Sequence, residues 1–258
     1  MLEITGLGKT YGTGLKATHA LADVSFTVEE GEFVCVVGPS GCGKTTLLKC
    51  VAGLLRPTRG GTILRGKRVT SPPEEMALVF QEYGRSLMPW ASVRNNVLLP
   101  LRHKHLSRGD RTQLVENAVD AVGLTRFIDH YPWELSGGMQ QRVAIARALA
   151  YQPSILLMDE PFASVDAQTR ADLEDLVLRV RDEYDVTILF VTHDIDESVY
   201  LADRVVVLSH SPTEVKEIVH VDLGRPRDQI TTKEQPEFVH LRGHVYRLIK
   251  RELPVVPV

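Results

Sequence analysis

The feature that most constrains this chain is a glycine-rich segment between an apolar run and a helical pattern. The segment reads Gly38-Pro39-Ser40-Gly41-Cys42-Gly43-Lys44-Thr45 and matches G-x-x-x-x-G-K-[ST]. Its glycines let successive backbone N–H groups face phosphate oxygens, and the N-terminus of the following helix adds partial positive charge. Residues 33–37 supply the strand and residues 45–55 the helix that the motif requires. The segment therefore predicts a phosphate-binding loop rather than a ligand-free turn.

Four side chains in two places supply the chemistry that a bound phosphate needs. The Lys44 ammonium brings positive charge to the terminal phosphates of a nucleotide, and the Thr45 hydroxyl can ligate Mg²⁺. Further along, the apolar run 155–158 ends in Asp159 and Glu160. Asp159 is expected to reach Mg²⁺ through its water shell, while Glu160 orients or deprotonates the attacking water. Many strands end in solvated acids, so this pair indicates hydrolysis only because a phosphate loop accompanies it.

The order of strand and helix patterns predicts the fold class. Short β-branched runs alternate with helical patterns, which predicts an α/β fold with a mainly parallel sheet. Val24, Phe26 and Val28 alternate with polar residues as in a half-exposed antiparallel strand, so an N-terminal antiparallel β-subdomain is expected as well. The candidate buried strands are residues 33–37, 155–158, 187–191 and 204–208.

Helical patterns fill the middle and the end of the chain. Residues 112–122 and 139–149 have helical spacing and no strand pattern is evident between 86 and 150, which predicts an α-helical lobe inserted into the α/β core. Apolar residues from Leu173 to Tyr184 predict a helix packed on the sheet. A last apolar stripe, Phe238 to Ile249, predicts a C-terminal docking helix.

Composition excludes several classes of protein. A chain of 258 residues with 43% apolar and 24% charged residues has an ordinary globular balance, and its formal net charge of −3 provides no basic field for nucleic acid. Its apolar runs are far shorter than the roughly 18 residues that cross a bilayer. The first residues lack a signal-peptide pattern, so residence in the cytosol is expected. Cys42 lies near Lys44 and a helix N-terminus, which favours a thiolate that reacts with thiol reagents.

A second glycine-rich segment identifies the family. It reads Leu135-Ser136-Gly137-Gly138-Met139-Gln140-Gln141-Arg142. Ser136 is a favourable N-cap, and the two glycines leave backbone N–H groups open at a helix N-terminus, so the segment can hold a second phosphate. It resembles the LSGGQ-type signature of ABC ATPases, which have a P-loop NTPase core. In that family the signature contacts the nucleotide of the opposite protomer, so the resemblance implies that two chains enclose two ATP molecules.

The resemblance assigns roles to further residues. Tyr11 stands where an aromatic ring stacks on adenine, although a lone tyrosine would otherwise indicate packing, and Gln81 resembles the glutamine that senses Mg²⁺ and the attacking water. His193 resembles the switch histidine that contacts the terminal phosphate, and Asp166 the D-loop aspartate that communicates between the two sites. The D-loop departs from Ser-Ala-Leu-Asp, because Ala163 replaces the serine that normally bonds across the dimer. The implied residues are, for ATP, Tyr11, Gly38, Pro39, Ser40, Gly41, Cys42, Gly43, Lys44, Thr45, Thr46, Ser136, Gly137, Gly138 and Asp166; for catalysis, Lys44, Gln81, Glu160 and His193; and for Mg²⁺, Thr45, Gln81 and Asp159.

The same resemblance implies one ATPase domain over residues 1–258. Its α/β core with the antiparallel β-subdomain is expected in residues 1–85 and 151–230, the helical signature lobe in 86–150, and a C-terminal helix in 231–258. ATP and Mg²⁺ are the implied cofactors.

Weaker signals indicate the branch of the family. Leu87-Met88-Pro89-Trp90 and Gly224-Arg225-Pro226-Arg227-Asp228 resemble segments of nitrate, sulfonate, taurine and bicarbonate importers. The implied function is the ATPase subunit of such an importer at the cytoplasmic face of the membrane. The implied partners are a second copy of this subunit in a homodimer, transmembrane permease subunits and an external solute-binding protein, with no nucleic acid. The alternative is a non-transport ABC ATPase acting on nucleic acid or ribosomes, but the sequence has neither a long coiled-coil insertion nor a second ATPase unit.

Residues 82–96 are the expected docking surface for a membrane subunit. The segment offers Tyr83, Leu87, Met88 and Trp90, which is more apolar surface than a solvated loop needs. Trp90 is expected to anchor a short helix of the partner, with Arg85 or Arg94 satisfying its acidic or carbonyl groups. The alternative is that Trp90 packs inside the helical lobe.

Overall fold

The computed structural model describes residues 1–81 and 86–250. These described residues form two compact units, the first made of those up to residue 73 and from residue 187 on, and the second of those between residues 74 and 186. Within the described residues the strands are β1 (Leu2–Tyr11), β2 (Thr18–Val28), β3 (Phe33–Val37), β4 (Arg59–Leu64), β5 (Lys67–Arg68), β6 (Met76–Val79), β7 (Ile155–Asp159), β8 (Thr187–Val191), β9 (Arg204–Leu208) and β10 (Thr213–His220). The α-helices are α1 (Lys44–Val51), α2 (Val93–Leu98), α3 (Arg108–Ala121), α4 (Gly137–Ala150), α5 (Ala167–Tyr184), α6 (Ile195–Leu201) and α7 (Pro236–Lys250).

The first unit contains a mixed sheet. Its strand order is β5-β4-β1-β2-β10-β9-β3-β8. Strands β5, β4, β1 and β2 pair antiparallel, whereas β3 runs parallel to both β8 and β9. The expected antiparallel β-subdomain is thus confirmed, and it adjoins the parallel strands through β10.

The burial of each strand follows its position in the sheet. Strands β3 and β8 are buried along their whole length, as parallel strands covered on both faces are, and the rings of Phe33 and Phe190 lie 5.8 Å apart between them. In β2 the side chains of Val24, Phe26 and Val28 are buried between exposed neighbours. The alternation in the sequence therefore predicted the inward face of β2 correctly.

The second unit joins two parallel strands to the helical lobe. Strand β6 pairs with β7 in parallel, with Val79 opposite Met158. Helices α2, α3 and α4 pack on one another, and residues 86–150 contain no strand. Helices α3 and α4 begin earlier than their apolar spacing predicts, because Ser107 and Ser136 cap them at the N-terminus.

Helix α1 is shorter than the predicted span of 45–55. It ends at Val51, because Gly53 takes a left-handed conformation with φ of +70° and turns the chain out of the helix. A Cβ at Gly53 would lie 2.6 Å from the carbonyl carbon of Ser71, so a close backbone contact also requires glycine there. The predicted C-terminal helix forms as α7, which buries Phe238, Leu241 and Val245 and packs on α6, β9 and β10. In the part of the chain that the structure describes, no helix is long and apolar enough to span a bilayer.

An ion pair ties the start of β3 to β9 in the first unit. The Arg204 guanidinium donates to both carboxylate oxygens of Glu32, at 2.7 Å for Oε2, and to the carbonyl oxygen of Thr27 at 2.8 Å. The Arg204 and Glu32 side chains are only 15% and 13% exposed. The hydrogen bond to Glu32 raises the pKa of Arg204 above its ordinary value, so the guanidinium stays charged. Removing the carboxylate would leave this charge largely desolvated and unpaired.

We expect Glu32→Gln to lower the free energy of unfolding by about 3 kcal/mol, because it breaks a mostly buried ion pair. The matched control is Glu30→Gln, which breaks the exposed Glu30–Arg65 pair and should cost less than about 1 kcal/mol. Denaturant unfolding of the three proteins measures both values. Equal losses in the two variants would contradict the assigned stabilising role of Glu32.

Candidate active site

The glycine-rich loop lies between β3 and α1, as its sequence predicts. Gly41 and Gly43 have φ of +76° and +101°, a left-handed backbone that glycine adopts without strain. At Gly38 a Cβ would lie 3.0 Å from both Cys42 Sγ and Leu208 Cβ. The loop conformation therefore requires glycine at these positions, two for backbone torsion and one for close packing.

Lys44 and Tyr11 are both fixed on this loop and its helix. The buried Lys44 side chain folds back, and its Nζ donates to the carbonyl oxygens of Gly38 at 3.0 Å and Pro39 at 3.3 Å. The Tyr11 hydroxyl lies 3.3 Å from Thr46 Oγ1, on the first turn of α1, and its ring is partly exposed. A cation and an aromatic face thus flank the loop that the sequence assigned to phosphate.

His193 reaches the same edge of the first unit. It follows β8, whose neighbour β3 leads into the glycine-rich loop, and Thr192 N donates to Val36 O at 3.1 Å to extend the pairing. Because the carboxyl ends of parallel strands meet at one sheet edge, His193 and Gly38 emerge side by side. The His193 side chain is exposed there.

The second unit brings the predicted acids and glutamine together. Asp159 is the buried last residue of β7, and Glu160 follows with φ of +44°. Gln81 follows the adjacent strand β6, and its Nε2 donates to Glu160 Oε2 at 3.4 Å. A left-handed conformation is unusual for glutamate and costs of order 1–3 kcal/mol, so surrounding structure must hold Glu160 in place. The carboxylate is consequently oriented beside an amide at the end of two parallel strands.

The signature segment and the D-loop meet at the ends of two helices in the same unit. Ser136 caps α4 by accepting from Met139 N at 3.3 Å. Asp166 caps α5 by accepting from Thr169 N at 3.0 Å and Thr169 Oγ1 at 2.7 Å, and these bonds lower the pKa of Asp166. Neither the N-cap role of Asp166 nor the hydrogen bonds that Thr169 donates to it were predicted from the sequence. The cap could have been recognised, because an aspartate directly before an apolar helical stripe is a common helix start.

The predicted site residues therefore form one group in each unit. Tyr11, the loop with Lys44, and His193 lie in the first unit. Gln81, Asp159 and Glu160 lie in the second, together with the signature residues and Asp166. Hydrogen bonds join Tyr11 to the helix that follows the loop, and Gln81 to Glu160.

Cys42, which the sequence predicts to react with thiol reagents, is buried in the structure. The side chain is only 2% exposed, because it packs inside the loop beside Gly38. Cys35 and Cys50 are buried too, and burial raises the pKa of the Cys50 thiol to about 11. The loop thus turns its backbone rather than this thiol outward.

Fewer residues of the expected docking surface are available to a partner than the sequence suggests. Trp90 is 75% exposed, which excludes the alternative that it packs inside the lobe, but Leu87 is buried. Arg94 already pairs with Glu116 at 3.2 Å and Asp129 at 3.3 Å. Tyr83 and Arg85 lie outside the described residues.

Comparison with known proteins decides the family. The sequence model of the ABC transporter family matches residues 21–163, more than half of the chain. The chain belongs to the ABC transporter family. It is 46% identical to an uncharacterized ABC transporter ATP-binding protein of Methanocaldococcus jannaschii, over 98% of this chain and 92% of that protein. It is 43% identical to the nitrate import ATP-binding protein NrtD of Synechococcus elongatus, over 97% of this chain and 92% of NrtD.

A solved ABC cassette has the same fold. The dimeric post-hydrolysis state of the ATP-binding cassette MJ0796, bound to ADP and Pi, matches with a TM-score of 0.73 and 32% identity, over 86% of this chain and 99% of that one. The α/β fold with a P-loop NTPase core, predicted from the motifs, is thereby confirmed.

Because all three cysteines are buried, we expect none of them to react quickly with a maleimide in the folded protein. Unfolding in denaturant should expose all three thiols to labelling. Peptide mass spectrometry after timed labelling, with and without denaturant, measures this. Rapid native labelling of Cys42 would show that the loop opens and would restore the expectation from sequence.

Proposed function

We propose that this ABC protein is the ATP-hydrolysing subunit of an importer for a small oxyanion, with nitrate as the first candidate. The observation that carries the hydrolytic role is the bond between Gln81 and Glu160, which aims a carboxylate at the end of β7. The nitrate candidate is supported by the similarity to NrtD over nearly the whole of both chains. The motif resemblances around Trp90 and Gly224 also favour this branch.

In the proposed complex the glycine-rich loop binds the phosphates of ATP. Because glycine has no side chain, nothing blocks the backbone N–H groups of the loop from donating to phosphate oxygens. The N-terminus of α1 adds partial positive charge. Lys44, held at the loop carbonyls of Gly38 and Pro39, supplies the cation for the terminal phosphates. Tyr11 stacks on adenine from a position that its contact with Thr46 fixes. The nucleotide-contacting set further includes Ser40, Gly41, Cys42, Gly43, Thr45 and Thr46.

The residues proposed for Mg²⁺ suit that ion chemically. Thr45, Gln81 and Asp159 offer a hydroxyl, an amide oxygen and a carboxylate, which are the hard oxygen ligands that Mg²⁺ prefers, directly or through water. The buried Asp159 carboxylate provides a negative charge that a bound cation would compensate. When bound, Mg²⁺ would neutralise charge on the β- and γ-phosphates.

Hydrolysis then needs a base, a positioned water and charge stabilisation. Glu160 takes a proton from the water as its oxygen attacks the γ-phosphorus, and the bond from that phosphorus to the β–γ bridging oxygen breaks. Gln81 holds the Glu160 carboxylate and the water in line. His193 donates to a γ-phosphate oxygen, and Lys44 offsets the charge that passes to the ADP leaving group.

Each site is proposed to be completed by a second copy of the chain. Ser136, Gly137 and Gly138 would present the N-terminus of α4 to the γ-phosphate bound by that copy, and Asp166 would lie at the same interface. The dimeric state of the MJ0796 cassette supports this arrangement. Permease subunits in the membrane and an external solute-binding protein complete the proposed importer, which places the chain at the cytoplasmic face of the membrane.

Binding and hydrolysis should separate by mutation. Lys44→Ala should weaken ATP binding and abolish turnover, because it removes the phosphate cation. Glu160→Gln should keep ATP affinity, lose at least about 100-fold in turnover and accumulate an ATP-bound dimer, because only proton removal is blocked. Nucleotide binding, phosphate release and light scattering measure the three properties.

Glu160→Gln with near-normal turnover would show that another group is the base. Turnover per chain in the wild type should also rise with protein concentration. A constant turnover in a sample shown to be monomeric would contradict the shared site.

The segment around Trp90 is held by hydrogen bonds to one buried side chain. The fully buried Asn96 side chain donates to the carbonyl oxygens of Met88, Ala91 and Ser92 at 3.1, 2.8 and 3.2 Å, and accepts from Met88 N at 2.7 Å. These bonds hold the backbone on both sides of Trp90. The indole is therefore presented to solvent by a fixed loop at the start of the lobe in residues 86–150, as an anchor for a permease helix would be.

We expect Trp90→Ala to reduce assembly with the permease subunits, or transport per ATP hydrolysed, by about tenfold or more, as loss of an interface anchor does. ATP binding and the stability of the isolated chain should stay near wild type, because the side chain is 75% exposed. Tyr246→Ala, which removes an exposed ring of α7, is the matched control. Reconstituted uptake and thermal unfolding measure both effects. Normal coupling in Trp90→Ala would refute the docking role.

A further inference from the structure

The N-termini of α4 and α5 meet at Gly138 and Thr169. A Cβ added to Gly138 would lie 2.3 Å from Thr169 Cγ2, closer than any side chain tolerates. The Thr169 methyl group therefore fills the space that glycine leaves in the signature segment. The contact needs a residue without a Cβ at position 138 and a branched side chain at position 169.

The other branch of the same side chain holds the D-loop, residues 163–166. Thr169 Oγ1 donates to Asp166 Oδ2 at 2.7 Å, while Thr169 N donates to Asp166 Oδ1 at 3.0 Å. The carboxylate is thus held by two bonds from one residue. Both bonds lower the pKa of Asp166, because they stabilise its charged form.

The D-loop is in turn bonded to the proposed base. Ala163 N donates to Glu160 O at 3.2 Å, and Val165 N donates to Phe162 O at 3.4 Å, so a tight turn follows Glu160 directly. A continuous series of contacts therefore runs from Glu160 through the D-loop and Thr169 to Gly138. Glu160 serves the ATP bound by its own chain, whereas Gly138 is proposed to serve the ATP of the second copy.

We propose that Thr169 is a positioning residue that fastens the D-loop to the signature helix, so that the two ATP sites of the dimer respond to each other. This role rests on the proposed dimeric ATPase. In this proposal Thr169 acts through its contacts with Asp166 and Gly138. Its hydroxyl fixes the D-loop, and its methyl group fixes the start of α4. Loss of the hydroxyl contact should disturb sites completed by two chains more than binding of ATP to one chain.

The main test compares Thr169→Val with Thr169→Ser. Valine keeps the methyl group and replaces the hydroxyl with a second methyl group, whereas serine keeps the hydroxyl and loses the methyl group. Thr169→Val should lower the maximal ATPase rate about three- to tenfold, the range expected for one lost hydrogen bond. It should also move the Hill coefficient for ATP towards 1 and weaken ATP-induced dimerisation in the Glu160→Gln background. ATP affinity of the monomer should change less than about twofold, and Thr169→Ser should retain most of the rate and cooperativity.

Two matched controls separate positioning from general stability. Thr112→Val removes an exposed threonine hydroxyl that bonds only within α3 and should behave as wild type. Ser107→Ala removes the N-cap of α3, so it lowers stability in the same unit without touching the signature or D-loop. Thermal unfolding places the stability losses on one scale. If Ser107→Ala lowers rate and cooperativity as much as Thr169→Val at equal stability, Thr169 has no positioning role.

The packing contact has its own test. Gly138→Ala should lose most activity, because the new Cβ overlaps the Thr169 methyl group. The double variant Gly138→Ala, Thr169→Ser removes that methyl group and should recover several-fold in rate. If the double variant does not recover, the proposed role of the packing contact is wrong. If Thr169→Val keeps the wild-type rate and cooperativity, the proposed role of the hydroxyl is wrong. A wild-type chain without ATPase activity would instead defeat the proposed function itself.

Discussion

The contact of the Lys44 ammonium with the carbonyl oxygens of Gly38 and Pro39 is the interaction on which the rest of this site depends. A desolvated ammonium is stable only where polar groups surround it, and here the loop backbone provides them. The loop can curl around the lysine because Gly41 and Gly43 take left-handed torsions. It stays in place because β3, which leads into it, is buried between two parallel neighbours. The sheet therefore fixes the position of the loop at the end of β3, and the glycines determine the conformation of the loop.

In the second unit the surrounding structure compensates for backbone strain at Glu160, as the loop carbonyls compensate for the charge of Lys44 in the first. Glu160 follows a strand that is buried along its whole length, and it takes a left-handed conformation that its Cβ disfavours. The turn bond from Ala163 N and the amide of Gln81 hold the residue on either side. A reactive carboxylate kept in one orientation needs no reorganisation when its proton acceptor role begins, which is the advantage of a preorganised site.

The sequence predicted most accurately where one physical cause dominates. Residues 33–37, 187–191 and 204–208 form strands with the predicted bounds, because continuous apolar runs of that length can be buried only in a covered sheet. The apolar runs placed Gln81 and the two acids at strand ends, and the glycine-rich motif placed Lys44 at the start of α1. The errors lie where tertiary contacts decide. Gly53 ended α1 early, and the charge near Cys42 indicated reactivity while packing against Gly38 buried the thiol. Arg94 was assigned to a partner but is already paired with two acids that lie 22 and 35 residues away in sequence.

Gly138 shows why a motif residue can have more than one physical cause. In the signature, a glycine at the start of α4 leaves backbone N–H groups open to an anion, and this reason is visible in the sequence. The structure adds a second reason, since any Cβ there would overlap Thr169. Thr169 cannot withdraw freely, because its hydroxyl and backbone N–H both hold Asp166 at the start of α5. In the proposed dimer this glycine would serve the ligand on one side, and on the other it makes room for Thr169, which holds the D-loop.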